Sequence, residues 1–268
     1  MKNYITARII SNAPIARDIY SIWLGCAALA EIAIPGQFVM LYLNASDKLL
    51  PRPLGICQVD PGCQAIRLVY KIKGGGTKLI SDYKAGDELK LLGPCGNGFM
   101  LTAGDDDPQD KPVALIIGGG LGVVPLLLLA DRLVAKKIII LGFKTASDII
   151  LEKEFADPML RITTDDGSKG IKGTPLSLLE NIEKPNVIYA CGPSALLKSI
   201  ARYAVNEKIP AQISIEERMA CGVGACSCCA VKIKSKRIVS ESADNYMAGY
   251  ALACTDGPVF SAEEFIDE

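Results

Sequence analysis

Five of the chain's ten cysteines lie between Cys221 and Cys254, and four of those share the run Cys221-Gly-Val-Gly-Ala-Cys226-Ser-Cys228-Cys229. Taken as C-x4-C-x2-C with a distant fourth member, Cys221, Cys226, Cys229 and Cys254 have the plant-type spacing for a [2Fe–2S] cluster. Four thiolates must converge on two irons, so a short loop has to wrap the cluster while the last ligand arrives from elsewhere. Gly222 and Gly224 let such a loop turn tightly and aim backbone N–H groups at the cluster sulfides. Structural zinc also takes four cysteines, but its sites usually show two C-x2–4-C pairs, and no second pair accompanies Cys254. Cys228 fits no ligand position in this register.

The remaining composition narrows the chemistry by exclusion. The 268 residues are 50% hydrophobic and 22% charged, enough for about two domains of ordinary size and incompatible with wholesale disorder. Lysine plus arginine number 29 against 30 acidic residues, so no basic excess marks a nucleic-acid partner. Histidine is absent, which removes Ser-His-Asp and Cys-His triads, His-liganded zinc and the Rieske type of cluster. The cysteines are too sparse for a disulfide scaffold, and clustered thiols suit metal binding in a reducing compartment. The opening MKNYITARII lacks the pattern of a secretory signal, and the apolar stretch Leu121–Ala130 is too short to span a bilayer. The expectation is a cytoplasmic chain with no membrane partner.

Hydrophobic patterning divides the chain into three. Residues 1–102 carry short strands (Tyr4–Ile10, Ile19–Leu24, Gln37–Leu43, Ala65–Ile72, Glu88–Leu92) separated by turn residues, with one helix from Thr77 to Tyr83. This predicts a small β-barrel or sandwich. The acidic, proline-containing stretch 103–112 is the expected boundary. Residues 103–215 then alternate strands (Val113–Ile117, Ile138–Leu141, Leu160–Thr164, Val187–Ala190, Ile213–Ile215) with helices (Val124–Ala135, Ile149–Phe155, Pro175–Asn181, Ser194–Asn206). That alternation predicts a parallel sheet with helices on its faces. Residues 216–268, rich in Gly and Cys, form a third, small module.

Two further motifs point to nucleotides. Arg52-Pro53-Leu54-Gly55, followed by Tyr70-Lys71 and Gly74-Gly75-Gly76-Thr77, places a planar guanidinium and a glycine-rich helix start on one barrel. An Arg-Pro pair alone is usually a strand edge and a glycine triplet a loop; together they suggest a flavin nucleotide site. The turn Gly118-Gly119-Gly120-Leu121-Gly122 follows a buried strand and opens a helix, the setting of a phosphate loop, although Val123 breaks the strict G-x-G-x-x-G pattern. Such a turn can also be mere tight packing. Cys191-Gly192-Pro193 repeats the arrangement after a later strand, so both turns lie at the carboxyl edge of one sheet, where ligands bind. Cys26, Cys57, Cys63 and Cys95 are read as packing residues.

With these motifs in order, the chain resembles the electron-transfer subunits of NAD-dependent, B-type dihydroorotate dehydrogenases, within the ferredoxin–NADP reductase superfamily. The resemblance runs through RPLG, YKIKGGGT, LLGPCGNGF, GGGLGVVPL, TTDDGSKG, YACGP, ERMACGVGACSCC and CTDGPVF. It implies a flavin-binding barrel, a nicotinamide-binding α/β domain and a C-terminal cluster domain, with FAD, [2Fe–2S] and NAD(H) as cofactors. FAD would contact Arg52, Pro53, Leu54, Gly55, Val69, Tyr70, Lys71, Gly76 and Thr77. NAD(H) would contact Gly119, Gly120, Gly122, Cys191, Gly192 and Pro193. No catalytic residue is implied. The resemblance also implies an FMN-containing catalytic partner, as a heterotetramer of two copies each, working in pyrimidine biosynthesis. Two departures stand out: Gly55, where the superfamily often has Ser or Thr, and Cys95, in a place usually aliphatic. The alternatives are a paralogue serving a ferredoxin or sulfhydrogenase partner and, in a different class, a scaffold with an inert cluster. Lys144 leaves NADP open as the nucleotide.

Overall fold

The computed structural model describes residues 3–44, 47–101, 112–155, 157, 159–234 and 249–265. The N-terminal elements are β1 (Asn3–Ala16), β2 (Ile19–Gly25), α1 (Ala27–Ile32), β3 (Phe38–Tyr42), β4 (Arg52–Asp60), β5 (Ala65–Lys71), α2 (Gly75–Asp82) and β6 (Glu88–Cys95). The six strands close into an antiparallel barrel in the order β1-β2-β5-β4-β3-β6. Alternation sends Val39 and Leu41 of β3, with Leu89 and Leu91 of β6, into the barrel core. Phe38, Met40, Leu92 and Cys95 belong to the opposite face and are equally buried.

What covers that outer face is the rest of the chain. Strands β7 (Val113–Gly119), β8 (Lys136–Phe143), β9 (Leu160–Thr164), β10 (Ile171–Lys172), β11 (Val187–Cys191) and β12 (Ala211–Ser214) run parallel, with α3 (Val123–Arg132) after β7 and α4 (Ser194–Glu207) after β11. Every residue of β7 is buried, as a central parallel strand flanked on both faces requires. Ala114 and Ile116 pack with α3, and Leu115 and Ile117 pack in the core that holds α4. The C-terminal part adds β13 (Ala230–Lys232), β14 (Tyr250–Leu252), β15 (Val259–Ser261) and α5 (Ala262–Phe265). β13 and β14 form a two-stranded pair, whereas β15 joins the large sheet antiparallel to β12, giving the order β10-β9-β8-β7-β11-β12-β15.

The sequence-based elements need two corrections and two additions. Ile149–Phe155 is not an α-helix: a 3-10 turn at Ala146–Asp148 precedes it, and Leu151 takes a left-handed conformation (φ +59°) that ends any helical run. Pro175–Asn181 is a 3-10 rather than an α-helix. Arg52–Asp60 is a full strand, and α1 was not expected at all. The expected boundary 103–112 falls almost wholly outside the described residues.

Barrel and sheet are joined by polar as well as apolar contacts. Arg132 of α3 donates to the Ala33 carbonyl (2.6 Å), and the nearly buried Arg67 of β5 meets Glu154 (3.4 Å), Gln58 (2.8 Å) and Ser21 (2.7 Å). A buried guanidinium with this many acceptors avoids the cost of an unpaired charge. Phe260, 2% exposed, is the main anchor of β15. Phe260→Ala should lower the unfolding free energy by about 3–5 kcal/mol, the usual cost of an aromatic cavity, as read from urea denaturation. A loss under about 1 kcal/mol would mean that β15 contributes little to the sheet.

Candidate functional site

A cleft of about 700 Å³ runs between the barrel, the sheet and the cysteine segment. Arg52, Pro53, Leu54 and Gly55 of β4 line it, with Val69, Tyr70 and Lys71 of β5 and Thr77 of α2. Leu121, Val124, Pro125 and Cys191 face them from the sheet side, and Glu216–Met219 close one end. Gly76 lies under Arg52, and a Cβ built there would land in the guanidinium group. Arg52 therefore sits over the first turn of α2, so one fixed cation and the free N–H groups of a helix start converge in the cleft. That pairing is a cradle for phosphate oxygens. The Thr77 hydroxyl fixes the turn by accepting from the Lys73 and Gly74 N–H groups (2.8 and 3.2 Å).

A second cleft of about 360 Å³ adjoins the first. Its floor is formed by Gly119 at the end of β7, by Gly120 and Gly122 just after it, and by Gly192 and Pro193 after β11. The two turns touch: a Cβ on Gly122 would collide with the Cys191 carbonyl. Lys71, Lys73 and Lys144 supply positive charge around it, and Asp148 and Glu216 negative charge. Glu216 and Lys71 line both clefts, so the two spaces meet there. Burial pushes the Cys191 thiol up to about 12, and the Glu216 charge adds to the shift, so the thiol lies neutral in the wall between the clefts.

The cysteine loop begins just beyond Met219. Gly222 and Gly224 hold positive φ angles (+70° and +85°), as the tight loop required. A Cβ on Gly222 would lie 2.5 Å from the Met40 side chain, so the loop is pressed directly onto β3. Antiparallel pairing of β13 with β14 sets Ala230 opposite Leu252, which carries Cys254 back to the neighbourhood of Cys229. Both are buried, whereas Cys226 and Cys228 are exposed. Burial works to raise the Cys221 pKa, but N–H groups of Val223, Cys226 and Ala225 and the Cys226 thiol outweigh it, lowering the group to about 6. The Val223 N–H donates to Cys221 Sγ at 3.4 Å. Backbone donors turned toward a sulfur suit thiolate ligands of an iron–sulfur group. Among the described residues no three Cys, Asp or Glu side chains gather as the ligands of a single ion would; two irons sharing four thiolates ask for a wider set.

All fifteen nucleotide-site residues expected from the sequence thus line the two clefts or, for Gly76, lie beneath Arg52. Sequence reasoning missed Phe38, Lys73, Glu216 and Met219 as cleft residues. Lys73 and Met219 lie inside quoted motifs and were accessible to it; Glu216 stands just before one, and Phe38 is brought in only by barrel closure. Gly55 faces open space, with Pro125 the nearest side chain at 3.9 Å from a built Cβ, so a Ser would fit there. Cys95 is fully buried in the wall behind the cysteine loop.

Comparison with known proteins agrees with this geometry. Residues 216–266 match the iron–sulfur cluster binding domain of dihydroorotate dehydrogenase B. A curated relative from Geobacillus sp. (strain WCH70), the electron transfer subunit of dihydroorotate dehydrogenase B (NAD(+)), is 38% identical over 264 residues, covering 96% of each chain. The chain belongs to this family of electron transfer subunits. A member from Caldanaerobacter subterraneus subsp. tengcongensis is 36% identical and covers 99% of this chain and 100% of its own. Among solved structures, a chain of an NADH-dependent reduced ferredoxin–NADP oxidoreductase has a TM-score of 0.79 and 28% identity over 96% of this chain and 88% of its own. A ferredoxin–NADP reductase from Neisseria gonorrhoeae shares the fold alone (TM-score 0.61, 14% identity, 76% of this chain and 91% of its own). No described helix is long and apolar enough to cross a membrane.

Two measurements check the site. Arg52→Ala should weaken FAD retention about 10- to 100-fold, the equivalent of one charge-assisted bond, with iron content unchanged; normal flavin content after dialysis would remove Arg52 from the site. In protein stripped of metal, alkylation of Cys221 by iodoacetamide should rise with pH to a plateau with a midpoint at about 6, since only the thiolate reacts. A midpoint at about 8.5 would show the loop donors to be ineffective.

Proposed function

We propose that this chain passes electrons between the FMN of a separate dihydroorotate-oxidising subunit and NAD, by way of a [2Fe–2S] cluster and FAD, in pyrimidine biosynthesis. The observation that carries this reading is the junction of the two clefts at Lys71 and Glu216, with the cysteine loop starting two residues past Met219 in the cleft wall. Bound flavin exchanges hydride with nicotinamide and single electrons with an iron–sulfur group.

The residues divide the work. Arg52 and the start of α2 would hold the flavin pyrophosphate, and Pro53, Leu54, Gly55, Val69 and Tyr70, which line the same cleft, would contact the rest of the cofactor. Gly119, Gly120 and Gly122 let the nicotinamide dinucleotide approach the backbone, and Gly192-Pro193 borders it from the neighbouring turn. Lys71, Lys73 and Lys144 offset phosphate charge. Neutral Cys191 and Pro125 close the wall against water. Hydride exchange asks for proximity rather than proton transfer by a side chain, which accords with a chain lacking histidine. Cys221, Cys226, Cys229 and Cys254 are the proposed cluster ligands, with Cys228 a spectator. The proposed division into residues 1–102, 103–215 and 216–268 assigns one cofactor to each part. The partner reading extends to a cytoplasmic heterotetramer of two copies of each subunit.

The isolated chain should oxidise NADH with a dye as acceptor and should not oxidise dihydroorotate. Adding the FMN-containing subunit should give dihydroorotate-dependent NAD reduction. Cys226→Ser should abolish that coupling and spare the dye reaction. Dihydroorotate oxidation by the chain alone, or full coupling in Cys226→Ser, overturns the scheme. The similarity to the ferredoxin–NADP oxidoreductase chain favours one specific rival, a ferredoxin partner; reduction of ferredoxin in place of coupling to the FMN subunit would select it.

A further inference from the structure

The first turn of α2 opens on glycines, and two cations lie against it. Its first intrahelical bond is donated by Lys78, to the Gly74 carbonyl (2.9 Å), so the N–H groups of Gly75, Gly76 and Thr77 have no partner within the helix. A Cβ on Gly76 would meet the Arg52 guanidinium, and a Cβ on Gly75 would lie 3.3 Å from Cε of Lys48. The Lys48 side chain is only 29% exposed, its stem lying along this turn, as long basic side chains do on a nearby surface. Its ammonium group is bonded to Asp47, whose own side chain is 71% exposed and whose carboxyl that bond holds below its usual pKa. Arg52 fixes the same segment, donating to the Leu50 carbonyl (2.5 Å). A Cβ on Gly74 would meet nothing within 4 Å, so the space before the helix start is open. None of the motifs read from the sequence includes Lys48.

We propose that Lys48 is a second cation of the flavin site, its ammonium charge acting on the FAD phosphates in competition with Asp47. This rests on the flavin reading above, which puts the phosphates at Arg52 and the start of α2. A pyrophosphate carries a negative charge on each phosphate, more than a single guanidinium neutralises. The free N–H groups of a helix start add donors and the positive end of a dipole, but no full charge. Lys71 and Lys73 line the larger cleft too, yet both also line the smaller one and so stand toward the junction. Lys48 instead reaches the helix start over Gly75, next to the glycine under Arg52. A side chain at either glycine would push the neighbouring cation away from the turn. The ammonium lies one bond beyond a Cε packed against Gly75, so rotation about the Cδ–Cε bond moves the charge between the carboxylate and the open space before the helix. A lysine suits that exchange, being a compact charge on a flexible stem rather than a rigid fork. Asp47 keeps it paired while no phosphate is bound.

The experiment titrates FAD into the full chain, freed of flavin by dialysis, and follows the quenching of flavin fluorescence. Lys48→Met keeps a stem of similar length and removes the charge. It should weaken FAD binding about five- to tenfold at low salt, more than an exposed ion pair gives and less than a bidentate arginine contact. Near 1 M salt the loss should shrink to about twofold, because the screening length there is about 3 Å. Lys48→Arg should bind FAD nearly as the unsubstituted chain does. Asp47→Asn, which removes the competing carboxylate, should bind it more tightly. Unchanged FAD affinity in Lys48→Met, a loss that Lys48→Arg shares in full, or weaker binding by Asp47→Asn overturns the inference. Normal FAD affinity in Arg52→Ala would instead overturn the phosphate cradle itself, so the two failures are distinct.

Discussion

One apolar core ties the three parts of this chain together. Phe38, Met40, Leu92 and Cys95 on the outer face of the barrel, Leu115, Ile117, Ile138 and Ile140 on one face of the sheet, and Cys229, Ala251, Ala253 and Cys254 from the cysteine segment all belong to it. A barrel wall with a buried outer face cannot be left to water, because each such side chain is worth roughly 1.5–3 kcal/mol of transfer free energy. The same contacts that satisfy this demand also press the cysteine loop onto β3 and fix its distance from the cleft. The site geometry is thus a by-product of packing.

Electrostatics refine what packing places. Arg52 lines the larger cleft, Lys71 and Lys73 line both, and the smaller adds Lys144 near touching glycine turns. Cys191, between them, is kept neutral by burial, whereas Cys221 is held toward its thiolate by backbone N–H groups. Two thiols of one chain are therefore moved in opposite directions by opposite local causes, burial in one case and donors in the other. Each state suits the role proposed for it, a neutral wall beside the nucleotide clefts and a thiolate ligand for the cluster.

Much of this was legible in the sequence because it is local. The buried run of β7, the glycine turn after it and the C-x4-C-x2-C spacing each depend on residues that are neighbours in the chain. What escaped depends on partners far away. Gly76 is expected at the flavin site, but its close contact with Arg52 exists only once α2 folds back against β4. Leu151 gave no sign of a left-handed backbone, so the apolar pattern from Ile149 to Phe155 imitated a helix. Val259–Ser261 is too short to announce itself as a strand, yet it completes the sheet beside β12. Pro14 and two register shifts make β1 a bent strand much longer than its alternating segment suggested.

The placement of β15 has a consequence for how the cysteine segment is held. β12 and β15 are hydrogen-bonded neighbours, and the chain between them contains Cys221, Cys226, Cys229 and Cys254. The excursion carrying the four thiols is therefore pinned at both ends by the sheet, much as a clasp holds a bracelet. Closing a chain loop costs an entropy that grows only slowly, about 0.6 kcal/mol for each doubling of length. The pairing of two strands that pack for their own reasons has already met most of that cost before any iron arrives. Gathering the thiols then closes short loops inside a closed one, and β12 gains a covered flank in place of an open edge that other chains could add to.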